Sequence, residues 1–151
     1  MDKSTSAQSA RRSKIATDLI ENYRCAIYQI GTGPDTITLP IDQYSESLSP
    51  QLAASEPSCA LFITAFNPLS QRKNYQENLA CNTKLYIELN QHAHLIMGGI
   101  SSDPLGRWPA EEGFLAFGIN LKAAEALGKR FGQNAIVWID TDAMPRLILL
   151  R

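Results

Sequence analysis

The spacing of hydrophobic positions along the chain changes repeatedly between a helical and an extended period, and these changes define the predicted elements. Three stretches have apolar residues at helical spacing, and a fourth, shorter stretch is compatible with a helix. The predicted helices cover residues 13–23, 45–54, 74–90 and 120–131. Ser13 and Asn120 stand at expected N-cap positions, and Gly132 stands where a helix-terminating glycine is expected.

Seven short runs have the alternating or continuous apolar pattern that is typical of β-strands. They cover residues 25–30, 36–41, 58–66, 93–97, 113–119, 135–139 and 146–150. Residues 58–66 include seven apolar residues, so we expect a central strand that is covered on both faces. Asn67-Pro68 ends this strand, because proline cannot donate to a sheet ladder. The glycine-rich residues 98–104 are predicted to form a loop.

The order of these elements favours the α+β class, because hairpins alternate with helices. We predict a mixed, mostly antiparallel sheet of about six or seven strands, with three or four helices packed on it. The chain has 151 residues, which is the length of one domain. Residues 1–12 are rich in Ser, Ala and Gln and are predicted to be a disordered tail, followed by a single domain over residues 13–151.

Composition restricts the partners that we expect. Lys and Arg total 14 and Asp and Glu total 15, a balance that does not favour nucleic acid as a partner. A small basic patch keeps nucleic-acid binding as a third, weaker hypothesis; it consists of Arg11, Arg12, Lys14, Arg72 and Lys73. No apolar run approaches the roughly 20 residues of a membrane span, so we expect no membrane association. The oligomeric state is not indicated by the sequence.

Cysteine usage and the N-terminal residues favour a cytoplasmic location. Cys25, Cys59 and Cys81 are odd in number and form no CxxC pair, so neither a disulfide framework nor a zinc ribbon is predicted. The first ten residues are polar and lack the apolar segment of a signal peptide. A reducing cytoplasm is therefore the expected compartment.

Three blocks of residues, in this order and at this spacing, carry a family resemblance. The first block is residues 62–68, together with Ser70 and Asn78. The second block is residues 108–115. The third block lies within residues 124–135 and consists of Ala124, Leu127 and the run from Arg130 to Ala135. Together they resemble the bacterial family catalogued as domain of unknown function 3293, over about residues 20–150. The resemblance implies a compact bacterial cytoplasmic domain. It implies no activity, because none is assigned to the family.

Asn67 and Asn78 are the first two candidate ligand-binding residues. Asn67 follows the buried strand, where a turn can present it to a ligand, although an Asx-Pro turn would also simply end the strand. Asn78 lies on the apolar stripe of a predicted helix, together with Tyr75, Leu79 and Tyr86. A buried amide without partners costs about 1–3 kcal/mol. We therefore expect Asn78 either to bond the neighbouring loop backbone or to recognise a ligand.

Trp108, Glu111 and Gln133 complete the candidate set. Glu111 and Glu112 open a predicted strand and therefore face opposite sides, so at most one of them faces a given site. Such a residue can be a general base or an acceptor for a sugar or amine; a solvated charge is the alternative. Trp108 can be a stacking platform or a hydrophobic plug for its loop. Gln133 can cap the preceding helix or reach a site.

The sequence predicts no metal, cofactor or nucleophilic site. His92 and His94 would share one face of a strand, but the chain has only 2 histidines. The three cysteines have no base nearby in the sequence, and Gly31-x-Gly33 lacks the third glycine and the helix of a phosphate loop.

Two hypotheses about function follow from the candidate residues. The first is a binding or regulatory module for a protein or small-molecule partner. The alternative is a small enzyme or nucleotide-ligand-binding domain, whose polar pocket would be formed by Asn67, Asn78, Glu111 and Gln133. The alternative requires these side chains to converge on a pocket of about 300 Å³ or more.

Overall fold

The computed structural model describes residues 13–151, and the tail predicted over residues 1–12 lies outside them. Within these residues, seven strands form one sheet: β1 (Ile27–Ile30), β2 (Ile37–Thr38), β3 (Ala60–Ile63), β4 (Leu95–Ser102), β5 (Glu111–Phe117), β6 (Ala135–Ile139) and β7 (Pro145–Leu149). Their order across the sheet is β2-β1-β4-β5-β3-β6-β7, and all neighbouring pairs are antiparallel. The predicted α+β class is confirmed, with an antiparallel rather than a mixed sheet.

Four α-helices accompany the sheet in the described part of the chain: α1 (Thr17–Cys25), α2 (Ser49–Ala53), α3 (Tyr75–Asn90) and α4 (Leu121–Arg130). Asn74 caps α3 in a reciprocal capping box with Glu77, and the Asn120 side chain caps α4 as predicted. The prediction that Ser13 caps the first helix is wrong. Ser13 Oγ accepts from Ile15 N instead, and α1 begins four residues later without a side-chain cap.

Residues of the central strands alternate between two hydrophobic clusters, one on each face of the sheet. Ala60 and Phe62 of β3 point into the first cluster, which the segment containing Leu39, Leu48 and Leu52 covers. Leu61 and Ile63 point into the second cluster, to which α3 and α4 contribute. β3 is buried along its whole length, as the continuous apolar run predicts.

The segment predicted as a loop after residue 97 is the second half of β4, so this prediction is wrong. Gly99 pairs with Gly113 of β5, and the ring of Phe62 lies against both positions. A Cβ atom would lie 2.5 Å from Ile30 Cδ1 at residue 99 and 2.9 Å from Phe62 Cζ at residue 113. The glycines therefore make room for neighbouring side chains within a continuous ladder, and they do not mark a turn.

The buried face of α3 differs from the predicted one. It consists of Asn78, Asn82, Leu85 and Leu89. Tyr75 and Tyr86, which were predicted to share the core face, are exposed. The amides of Asn78 and Asn82 are therefore in the core, whereas the two tyrosine rings that the helical spacing predicted there are at the surface.

Candidate functional site

A cavity of about 230 Å³ opens beside α1, the turn after β3 and the first residues of β5 and β6. Four of the five predicted site residues line it: Asn67, Trp108, Glu111 and Gln133. The cavity is smaller than the roughly 300 Å³ expected at the lower limit for drug-sized ligands, so it suits a smaller molecule.

Glu111 supplies the only carboxylate of the cavity wall among residues 13–151. Asn67 Nδ2 donates to Glu111 Oε2 over 2.8 Å, and no cation pairs with this carboxylate in the described chain. Burial raises the pKa of the Glu111 carboxyl, and the hydrogen bond from Asn67 opposes this shift. Only one carboxylate oxygen of Glu111 is engaged by Asn67, and the half-buried residue lines the cavity.

Glu112 faces the opposite side of β5, as the period of a strand requires. Its carboxylate accepts a hydrogen bond of 2.5 Å from the Tyr75 hydroxyl. It lines a separate, open groove of about 770 Å³ between α3 and the outer face of β1 and β4. None of the five predicted site residues lines that groove.

The turn that presents Asn67 has an unusual backbone. Asn67, Leu69 and Ser70 all have positive φ angles, between 46° and 60°, a region that residues other than glycine seldom adopt. Leu69 N donates to Gly132 O over 2.7 Å, which holds the turn against the end of α4. Strained backbone of this kind is often associated with functional sites, because the surrounding structure must hold it in place.

Asn78, the fifth predicted site residue, supports the cavity and does not line it. Its Oδ1 atom accepts from Asn67 N over 2.9 Å, and its Nδ2 atom donates to Asn67 Oδ1 over 3.0 Å. Both groups of the buried amide are therefore used by the turn. This is the loop-bonding alternative that the sequence left open, and it fixes the orientation of the Asn67 amide toward Glu111.

Trp108 and Gln133 occupy opposite parts of the cavity wall. Trp108 is half-buried and belongs to neither hydrophobic cluster. Gln133 Nε2 donates to Phe66 O over 3.2 Å and, more weakly, to Phe131 O at the end of α4 over 3.4 Å. Gln133 thus bonds a carbonyl at the helix terminus, as capping would require, while also lining the cavity.

Asp103 organises the loop that carries Trp108. Its side chain is 1% exposed and accepts hydrogen bonds from Leu105 N, Arg107 N and two guanidinium nitrogens of Arg107. These donors, chiefly the Arg107 side chain, lower the pKa of the Asp103 carboxyl to about 2. The carboxylate thereby fixes the chain one residue before Trp108.

We expect Asp103→Asn to lower the Tm and to loosen this loop. The exposed pair of Asp142 and Arg146 has the same sequence spacing and is a matched control, so Asp142→Asn should lower the Tm less. Because the pKa is depressed, the contribution of Asp103 is complete above its unfolded pKa of about 4 and is lost as the pH falls toward about 2. Thermal unfolding at neutral and acidic pH measures the difference in Tm between the two variants and the loss of the Asp103 contribution in acid. Equal losses in the two variants would contradict the role of Asp103.

Several residues of the cavity wall were missed by the sequence interpretation: Tyr23, Tyr28, Arg72 and Asn134. The Tyr28 hydroxyl donates to Tyr23 O over 2.6 Å, and burial raises the pKa of this phenol. Asn134 Nδ2 donates to the Tyr23 hydroxyl over 3.0 Å. Asn134 lies in the third block of the family resemblance, and this is the one sequence signal that indicated it.

No group of three or more His, Cys, Asp and Glu side chains within residues 13–151 is placed to hold a metal ion. Over the same residues, no helix has both the length and the apolarity needed to cross a membrane.

The fold and the cavity define a small α+β domain with one half-buried carboxylate in a polar and aromatic pocket. Residues 63–136 match the family model described as Protein of unknown function (DUF3293), and the chain belongs to this family. The match includes all five predicted site residues, and the family resemblance is confirmed. No curated protein and no solved structure matches the chain.

Proposed function

We propose that the chain is a small-molecule-binding domain whose ligand donates hydrogen bonds from an amine or hydroxyl group to Glu111. The observation that carries this proposal is a half-buried carboxylate on a cavity wall, with one amide donor and no cation among residues 13–151. A partly desolvated charge without a counter-charge is unfavourable. A ligand that supplies a positive or hydrogen-bond-donating group offsets this cost, and the domain gains stability on binding.

The remaining walls suit an organic ligand of small size. The cavity wall includes Tyr28, Phe66 and Trp108, and aromatic side chains of this kind offer apolar contact and attract an ammonium group. Asn67 and Gln133 add polar groups that are positioned by hydrogen bonds to the backbone. A concave wall of this kind favours a small molecule over a flat protein surface as the partner.

A catalytic role for Glu111 is the second candidate function. The raised pKa of its carboxyl and the strained turn beside it are features of catalytic sites. Acid–base chemistry in most enzymes combines such a group with a nucleophile or a second titrating partner. The described cavity wall offers hydroxyl groups but no cysteine, no histidine and no other carboxylate to act with Glu111, and binding is therefore the function we propose.

The proposal includes the bacterial cytoplasm as the location of the protein. Its three cysteines are unpaired, which suits a reducing compartment.

A thermal-shift panel tests the proposed function. Wild type, Glu111→Gln and Glu112→Gln are screened against ethanolamine, putrescine, the twenty L-amino acids, glycerol and glucose. A ligand at 100 times its Kd stabilises the folded state by about 2.7 kcal/mol, and each kcal/mol raises the Tm by about 2–4 °C at this size. We expect at least one compound to stabilise wild type and Glu112→Gln but not Glu111→Gln.

Glu112→Gln is the matched control, because the two residues are adjacent on β5 and face opposite sides. No shift with any compound, or equal shifts in all three proteins, would contradict a ligand site at Glu111.

A further inference from the structure

Arg72 differs from the other arginines of residues 13–151 because it has no protein partner among those residues. The other five donate hydrogen bonds to protein side chains: Arg24, Arg107, Arg130, Arg146 and Arg151. Arg72 is exposed, forms no ion pair within the described chain, and lines the same cavity as Glu111. An arginine in this position is free to bind an anionic group of a ligand.

The backbone beside Arg72 is held in place by the site itself. Lys73 N donates to Asn67 Oδ1 over 2.9 Å, and the other side of the Asn67 amide donates to Glu111. Ser70, two residues before Arg72, bonds the Tyr23 hydroxyl through its Oγ atom over 2.6 Å. One asparagine therefore sets the relative positions of the carboxylate and of the segment that carries the guanidinium.

Glu111 and Arg72 have opposite charges but do not form an ion pair with each other. The cavity thus offers an anionic and a cationic group at separate positions of its wall. A ligand with one charge can complement only one of them. A small zwitterion complements both, and the bidentate geometry of a guanidinium matches a carboxylate.

Building on the proposed function, we infer that the ligand is a free amino acid, held by its ammonium group at Glu111 and by its carboxylate at Arg72. The volume agrees with this class, since 230 Å³ corresponds to about eight waters at about 30 Å³ each. That is the size of an amino acid with a medium side chain. Tyr28, Phe66 and Trp108 supply aromatic surface for the side chain.

Isothermal titration calorimetry with the twenty L-amino acids, each titrated separately, tests this inference. The best-binding amino acid is then compared with its decarboxylated amine and its deaminated acid. The proteins are wild type, Arg72→Gln and Lys73→Gln. Lys73 is the matched control, because it is adjacent, carries the same charge and does not line the cavity. Both side chains are exposed, so we expect both variants to fold as wild type does.

We expect Arg72→Gln to raise the Kd of the amino acid by about tenfold or more and Lys73→Gln to leave it nearly unchanged. The amine should bind wild type and Arg72→Gln equally, and more weakly than the amino acid. If amines bind in a Glu111-dependent way without any gain from a carboxylate, the inference is wrong and the proposed function stands. If no amino acid binds, the inference is also wrong, and the amines and polyols of the thermal-shift panel decide the proposed function separately.

Discussion

Replacing Asn82 by alanine is expected to lower the free energy of unfolding by about 2–4 kcal/mol. Asn82 is 5% exposed and bridges two strand ends. Its Oδ1 atom accepts from Ala65 N over 2.8 Å just after β3, and its Nδ2 atom donates to Glu112 O of β5 over 2.9 Å. Without the amide, the buried Ala65 N–H has no partner, whereas Glu112 O keeps the hydroxyl donor Thr64. Chemical denaturation monitored by circular dichroism measures the loss.

Asn90→Ala is the matched control for this experiment. It removes the same side chain from the last, exposed residue of α3, so we expect the free energy of unfolding to change by less than about 0.5 kcal/mol. Asn78→Ala should be destabilising to a similar degree as Asn82→Ala, because it leaves Asn67 N without its acceptor. A loss at residue 82 no larger than at residue 90 would show that the buried amides do not hold the strand ends.

Glu111→Gln is expected to raise the Tm at neutral pH, with a gain that disappears in acid. Burial raises the pKa of the folded carboxyl, so the ionised form is disfavoured in the folded state. This penalty is complete above the folded pKa and is absent below the unfolded pKa of about 4.3. Glutamine keeps an oxygen acceptor for Asn67 without the charge. The Tm difference between variant and wild type should therefore be larger at about pH 8 than at about pH 4.

Thermal unfolding of Glu112→Gln over the same pH range is the control, and this variant is not expected to show the gain. A Glu111→Gln variant that is less stable than wild type at both pH values would identify the carboxylate as a structural acceptor. A higher Tm of Glu111→Gln at neutral pH would instead mean that the charge of Glu111 lowers the stability of the domain. Such a cost is common for binding and catalytic groups.

The sequence predicted most elements of the fold, because their signals are local. The cap of α4 depends on the Asn120 side chain and the backbone of its own first turn, and it was predicted from residue type. The second half of β4 was not predictable. Gly99 and Gly113 are needed because Phe62, distant in sequence, lies against both. The residues next to Gly99 in the sequence do not show that the Phe62 ring packs against it, so the sequence pattern indicates a loop there.

The candidate site was predictable where a residue type conflicted with its surroundings. Asn67, Trp108, Glu111 and Gln133 were selected from separate parts of the chain, and all four line one cavity. Whether they bind a ligand stays a prediction. The sequence indicates Arg72 only as part of a basic patch. An arginine in a polar loop belongs to no hydrophobic pattern and is an ordinary residue type at that position, so the sequence does not single it out. Arg72 becomes a candidate for ligand binding because its side chain has no ion-pair partner within residues 13–151. The three-dimensional structure is needed to see this.

The most direct test of a ligand site at Glu111 is a nuclear magnetic resonance titration that follows the two tryptophan indole N–H signals. The titrant is the compound with the largest thermal shift in the panel. Trp108 lines the cavity, whereas the Trp138 indole donates to Ile119 O over 3.0 Å and lies outside it. We predict that the Trp108 signal and the Asn67 side-chain amide signals move in a saturable way while the Trp138 signal stays. Unchanged Trp108 and Asn67 signals, with shifts elsewhere or none, would contradict a ligand site at Glu111.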